Sequence, residues 1–332
     1  MNLLLRGVVR ESALMGLAAA ALWGGGDFSG GMGVKRAGGG IGAALRVVLM
    51  SHAASFAALL LVERVRGDAF PHGAVLAWGI AAGVAGGLSL TAFYTALSRG
   101  AMGASAAVSG LLAAAIPAGI GMAQEGSPGA RAVVGFAVAA AAIWLIAAGE
   151  RVHGVETAEE AVHEHDAADA AARDAPLRAE MILARRAASR QTMLLAVLAG
   201  AGFGIYFFAL KMANPAGVVW PMATARMGSL TVCGLMLLGR SLRRWDRADD
   251  SGVRITGAAV RWALAAALLD TSGNLLFIAA TRAGRLDVAS VLASLYPAST
   301  ILLAAVTLGE LPTKRQAVGM LAAVAAVLMI AL

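Results

Sequence analysis

The sequence predicts an all-α membrane protein, with ten transmembrane helices arranged as two inverted five-helix repeats. Three observations lead there. Of 332 residues, 59% are hydrophobic and only 14% charged, with a mean hydropathy of +0.75, whereas a soluble chain has roughly a quarter of its residues charged. The charges cluster between long runs of Ala, Leu, Val and Gly. A bilayer imposes that segregation, since a helical span needs about 20 mostly apolar residues. The third observation is a repeat at an offset of 180–185 residues. A large alanine-rich soluble core would not keep several runs nearly free of charge.

The elements follow in order. Arg6 and Arg10 precede an apolar run ending near Trp23, which resembles a secretory signal. The same pattern recurs after residue 191, where no signal peptide can lie, so 12–33 is expected to be the first span. Spans at 41–62, 73–97, 104–123 and 131–149 follow, separated by KRAGGG, ERVRGDAFPHG, SRGAMG and QEGSPGAR. Spans at 192–212, 219–239, 260–281, 288–308 and 315–332 are separated by NPAG, RSLRRWDRADDSGVR, RAGRLD and GELPTKR. These breaks are charged or rich in Gly and Pro, the residues of turns. The segments are too long and too alanine-rich for barrel strands.

Between the fifth and sixth spans lies a polar stretch, Glu150–Gln191, acidic in its first half and arginine-rich in its second. It lacks the apolar residues for a core and reads as a charged linker with some helix. Its His163, Glu164, His165 and Asp166 match no defined metal spacing and read as a solvated tract. The expected organisation is a first repeat at 1–149, the linker at 150–191 and a second repeat at 192–332.

The repeat is visible residue by residue. A shift of 180 pairs Trp23 with Phe203, Gly24 with Gly204, Phe28 with Phe208, Met32 with Met212 and Arg46 with Arg226. A shift of 184 pairs Trp78 with Trp262, Phe93 with Phe277, Ala96 with Ala280 and Gly100 with Gly284. At 185, Ser105 meets Ser290, Ser109 meets Ser294 and Glu125 meets Glu310. An odd number of spans per copy forces the copies into opposite senses across the bilayer. Inverted repeats recur in secondary transporters, with the solute held near the midplane between them.

The opening ALWGGGDFSGGMGVKRAG and the closing LYPASTILLAAVTLGELPTKRQAVGMLAAVAAVLMIAL resemble the first and last helices of EamA-type repeats in the drug/metabolite transporter (DMT) superfamily. The marks are a tryptophan-glycine in the first helix, an arginine early in the second, and a proline in the penultimate helix followed by LGE. The second copy carries Arg226, Pro297 and Glu310 there; the first has Trp23, Gly24, Arg46 and Glu125, with Pro117 displaced. The linker is longer than the family's usual connection. The resemblance implies a ten-helix exporter or exchanger of small polar metabolites, amino acids or drugs.

WGGGDFSGG, Trp23–Gly31, could be taken for a phosphate loop, but Ser29 stands where G-x-G-x-x-G needs its third glycine. The preceding residues are also helical in character rather than strand-like. In a membrane helix, Gly26 and Gly30 make a small-xxx-small face that lets another backbone approach.

Charges inside the spans are the candidate site. Asp27 and Arg46 should lie at similar depth, about 8 Å from one face at 1.5 Å per residue. An isolated charge there costs several kcal/mol, so pairing is expected; Arg226 and Asp270 can be placed similarly. Such pairs could only pin helices, or the arginines could attract an anionic group while Asp27 or Asp270 handles a proton. His52 stands on a different helix face from Arg46 and is read as satisfied by neighbouring backbone rather than as a proton relay. Asn274, one turn from Asp270, could share its pocket. Trp23, Tyr94, Tyr206 and Tyr296 are candidate cavity walls. Ser109 and Ser294 are expected to bond within their own helices, and Glu125 and Glu310 to cap or ion-pair in loops.

The functional expectation is a secondary active transporter of a small polar solute in the cell membrane, not an enzyme, by alternating access, with proton or solute counter-flow and no cofactor or metal. The competing classes are a membrane enzyme on lipid-linked substrates, which would want clustered Asp or His at one face, and a sensor or scaffold using the linker. The net charge of +7 is attributed to topology and lipid head groups rather than nucleic acid. No G-x-x-x-x-G-K-[ST] occurs, which argues against direct ATP drive. The family's usual arrangement puts both termini in the cytoplasm. Arg240, Arg243, Arg244, Arg247, Arg254, Arg261 and six linker arginines would then lie outside, against the positive-inside tendency, so outward termini are favoured on charge.

Overall fold

The computed structural model describes residues 2–99, 102–160, 168–242, 253–308 and 313–331, with side chains described from residue 11 onward except at 102–104, 107, 147–160, 168–189, 304, 308 and 331. The described residues form helices α1 (Asn2–Arg36), α2 (Gly40–Arg66), α3 (Gly73–Arg99), α4 (Met102–Glu125), α5 (Ala130–Glu160) and α6 (Ala168–Met212). A 3-10 turn, Asn214–Ala216, leads to α7 (Val219–Leu242), α8 (Gly257–Ala283), α9 (Leu286–Ala293), α10 (Tyr296–Leu308) and α11 (Lys314–Ala331). Every expected span falls on helix over its described residues, with one interruption. The stretch expected at 288–308 is broken in two at Ser294–Leu295. Pro297, which has no N–H and whose ring crowds the carbonyl one turn back, supplies the physical reason.

Six stretches among the described residues are long and apolar enough to cross a membrane: Gly40–Arg66, Gly73–Arg99, Arg190–Met212, Val219–Leu242, Gly257–Ala283 and Leu286–Thr307. The chain is a multi-pass membrane protein on this composition. α1 is not among the six; its five glycines and Asp27 between Trp23 and Gly31 dilute its apolar character. The boundaries expected at 149/150 and 191/192 fall inside α5 and α6, so helix runs well into the polar stretch from both sides. The HEHD tract, His163–Asp166, lies outside the described residues, as do Glu310 and three of the loop arginines, Arg243, Arg244 and Arg247.

Polarity is inverted relative to a soluble fold. Leu61, Val65, Trp144, Leu235, Leu268, Val306 and Leu321 are exposed, while Arg226, Asp27, His52, Asn274 and Asp287 are buried. Lipid accepts the first set; only protein partners or water can satisfy the second.

The main helix contacts join the first five helices to the last six. α1 runs antiparallel to α8: Ser12 Oγ donates to Ala280 O at 2.9 Å, Gly273 faces Trp23, and Gly26 faces the Asp270 backbone. α1 runs parallel to α9 and α10, with Gly16 on Ala289 and Gly24 on Tyr296–Thr300. α6 repeats this pattern. It lies antiparallel to α3, with Gly202 on Ser89 and Gly86 on Tyr206, and parallel to α4, with Gly200 on Ser109 and Gly204 on Ile116. α2 packs on α7, and α5 runs antiparallel to α11 through Gly135 and Gly319. Glycine recurs at these crossings because without lipid-side hydrophobic drive, close van der Waals contact holds helices together.

Candidate functional site

The polar centre is built by helical spacing. His52 and Ser55 on α2, Arg226 and Ser229 on α7, and Asp270 and Asn274 on α8 are each three or four residues apart, so each pair shares a helix face. Trp23 and Asp27 on α1 and Phe203, Tyr206 and Phe207 on α6 do the same.

Arg226 is the hub and is 4% exposed. Its Nε donates to Ser55 Oγ at 2.9 Å, Nη1 to His52 Nε2 at 2.7 Å, and Nη2 to Asp270 Oδ2 and, at 3.4 Å, to Thr271 Oγ1. A guanidinium has no acceptor, so His52 Nε2 must accept. The His52 proton then sits on Nδ1 and is donated to Ser229 Oγ at 2.5 Å. His52 is therefore a neutral imidazole in this arrangement. Thr271 Oγ1 donates to Ser55 Oγ at 2.6 Å, Asn274 Nδ2 donates to Asp270 Oδ1 at 3.0 Å, and Tyr206 OH donates to Asn274 Oδ1 at 2.7 Å. Every member is partnered, the condition under which a buried ion pair is tolerable.

Two adjoining cavities of about 30 and 20 Å³ lie against this network. The larger is walled by Trp23, Asp27, Leu90, Phe203, Tyr206, Phe207, Asp270, Asn274 and Tyr296. The smaller is reached by His52, Arg226 and Ser229 and shares Leu90, Phe203, Tyr206, Asp270 and Asn274. The larger has room for water and not for a metabolite. Trp23 stacks on Phe207, ring centroids 5.0 Å apart and nearly parallel, and Phe207 leans on Phe277.

Most of the residues expected from sequence meet here. Trp23, Asp27, Tyr206, Asp270, Asn274 and Tyr296 wall one cavity, and His52 and Arg226 the other. Tyr94 lies behind the wall, its ring against Gly30 and its hydroxyl 3.5 Å from Gly26 O. Two expectations are corrected. Asp27 and Arg46 do not pair: Arg46 Nη1 donates to Gly42 O at 3.2 Å, and Asp27 faces Asp270 across the cavity. His52 is held by the side chains of Arg226 and Ser229 rather than by backbone. Sequence reasoning missed Ser55, Thr271, Phe203 and Phe207. The signal was present for some: Ser55 lies one turn from His52, and Phe203 stands at the repeat position of Trp23. Ser294 Oγ bonds to Ser290 O of the helix it caps at 2.7 Å, whereas Ser109 Oγ makes no hydrogen bond among the described residues.

The turns at 67–72, 126–129, 213–218 and 284–285 gather at one end of the bundle. Glu125 pairs with Lys211, Arg285 donates to Gly126 O at 2.5 Å and Glu125 O at 3.1 Å, and Arg282 donates to Asn214 O. Trp220 Nε1 donates to Asp68 O at 3.1 Å. Arg285 also bonds Asp287, which raises its pKa above the ordinary arginine value. These contacts tie turns from both parts of the chain together and close that end.

A multi-pass helical bundle with a charged, partnered polar centre and a small cavity at its core places the chain in the class of polytopic helical membrane proteins. Residues 190–332 match the model of the EamA-like transporter family. That match covers the later part of the chain and makes it similar there to EamA-type proteins. A solved crystal structure of a protein 14% identical to this chain superposes with a TM-score of 0.64, covering 96% of this chain and 95% of that one, a likeness of fold alone. No curated protein matches the chain.

Proposed function

We propose that the protein is a secondary active transporter, moving a small polar metabolite, amino acid or drug across the cell membrane by alternating access. Its ten spans form two inverted repeats joined by the 150–191 stretch. The observation that carries this reading is the placement of the Arg226–Asp270 network and its cavities where α1, α2, α3, α6, α7 and α8 meet, so both repeats contribute walls. Matching contacts support the repeat: α1 on α8 and α9–α10 is reproduced by α6 on α3 and α4. Ligand sites between such repeats are the rule for secondary transporters.

A cavity of about 30 Å³ is a closed state, and the laced end of the bundle is its shut gate. Loading a solute requires the helices around Trp23 and Tyr206 to separate. A proton or counter-solute gradient supplies the drive. The test is flux into proteoliposomes of the purified chain against a metabolite panel, with and without an imposed pH gradient. Accumulation of a solute above protein-free liposomes, lost in Arg226→Ala, is expected. Equal leak in both vesicle types for every solute overturns the reading.

A further inference from the structure

The larger cavity joins two features that the polar network leaves unused. Asp27, 8% exposed, walls it and makes no hydrogen bond or ion pair among the described residues. The Tyr296 hydroxyl, also buried, has no hydrogen-bond partner among the described residues. Around them stand the rings of Trp23, Phe203, Tyr206 and Phe207. The guanidinium nearest the cavity is already committed to Ser55, His52, Asp270 and Thr271.

We infer that this cavity recognises a protonated organic amine with a flat apolar body, the ammonium against Asp27 and the body against the aromatic wall. The inference rests on the transporter reading and specifies its solute. Two carboxyl groups, Asp27 and Asp270, wall the larger cavity against the one guanidinium beside it, and His52 accepts from that guanidinium and adds no second cation. A monocation balances that excess; an anion deepens it. Aromatic faces attract a cation through their quadrupole, and an ammonium supplies the donors that a carboxylate lacking partners accepts. In the larger cavity a carboxylate on the solute would find only neutral donors without a bond among the described residues, the Tyr296 hydroxyl and the Trp23 indole N–H, because Asn274 Nδ2 is engaged with Asp270 and the Arg226 guanidinium does not wall that cavity. The site therefore favours an amine over the corresponding amino acid. This reverses the expectation that the buried arginine reads an anion.

The test is calorimetric titration of the full chain in lipid nanodiscs with four probes sharing one ring: phenylethylamine, neutral 2-phenylethanol, phenylalanine and phenylpropionate. Phenylethylamine is expected to bind at least about tenfold more tightly than each of the others, the size of one modest charge-assisted contact. Asp27→Asn should lower its affinity to that of 2-phenylethanol, and Asp27→Glu should restore part of it. Tighter binding of phenylalanine or phenylpropionate, binding of none, or undiminished amine affinity in Asp27→Asn overturns the inference. The wild-type series decides alone if the variant fails to fold. Site-dependent flux of an anion or neutral solute removes the amine and keeps the transporter. Selective amine binding with no flux of any solute removes the transporter and keeps the site chemistry.

Discussion

Arg226 shows what a single residue does in this bundle. Removing it leaves Asp270 as a buried, uncompensated charge and strips donors from Ser55 and His52. Breaking a buried pair from one side costs about 3–5 kcal/mol. Arg226→Ala should therefore lower the melting temperature of the detergent-purified protein by several degrees as well as abolish flux. Arg226→Lys should restore only part of both, because an ammonium cannot reproduce the planar fork that reaches α2 and α8 together. Unchanged melting in Arg226→Ala would mean that Asp270 is satisfied in another way. The type of this residue was legible in the sequence: an arginine and an aspartate inside apolar runs must find partners. Which aspartate meets which arginine was not. Depth along the membrane favoured Asp27–Arg46 and matched Arg226–Asp270 more loosely, yet only the second pair forms, because helix rotation decides. Arg46 turns back to Gly42 on its own helix while Asp27 turns to the cavity.

Among elements, α3 and α7 cross with backbone against backbone. A Cβ at Gly83 would overlap the carbonyl of Ala225, and one at Gly228 would overlap the carbonyl of Ile80. Backbone cannot yield as a side chain can, so Gly83→Ala should destabilise by about 1–3 kcal/mol, the cost of overpacking. Gly234 on the same α7 meets nothing. Gly234→Ala should be neutral or stabilising by up to about 1 kcal/mol, the helix-propensity difference. Thermal unfolding of the two variants side by side checks the pair, and equal effects would mean that the crossing is looser than described. The glycine stretch of α1 follows the same logic, with Gly24 on α10, Gly26 on α8 and Gly30 on Tyr94 of α3. Small residues at helical spacing announced close packing. They could not announce three different neighbours, since a sequence does not say which helix arrives at which face.

For the whole molecule, the proposed alternating access requires the laced end to open. The chain's single cysteine, Cys233, is buried, so introduced thiols can be read without interference. Replacing the ion-paired Glu125 and Lys211 by cysteines and oxidising them should hold α4 to α6. Flux is expected to fall to the protein-free level and to return with reductant. Full flux through the oxidised pair would show that this end stays shut throughout the cycle. The pairing of α1 with α8 and of α6 with α3 also means that neither set of helices buries its polar residues alone. His52 and Ser55 from α2 are completed by Arg226 and Ser229 from α7 and by Thr271 from α8.

The sequence by itself determined the class of molecule. Apolar runs of membrane length, charges confined between them and a repeat near 180 residues admit a helical membrane bundle and little else. It also marked the chemically expensive residues, because a charge within an apolar run stands out in any register. The tertiary structure alone decided that Arg226 is held by four side chains, that His52 is a neutral acceptor, and that Asp27 is left facing an aromatic cavity. Those outcomes depend on the rotation and crossing of helices far apart in the chain. Rotation is set by backbone contacts at glycines, which hydropathy and spacing do not encode.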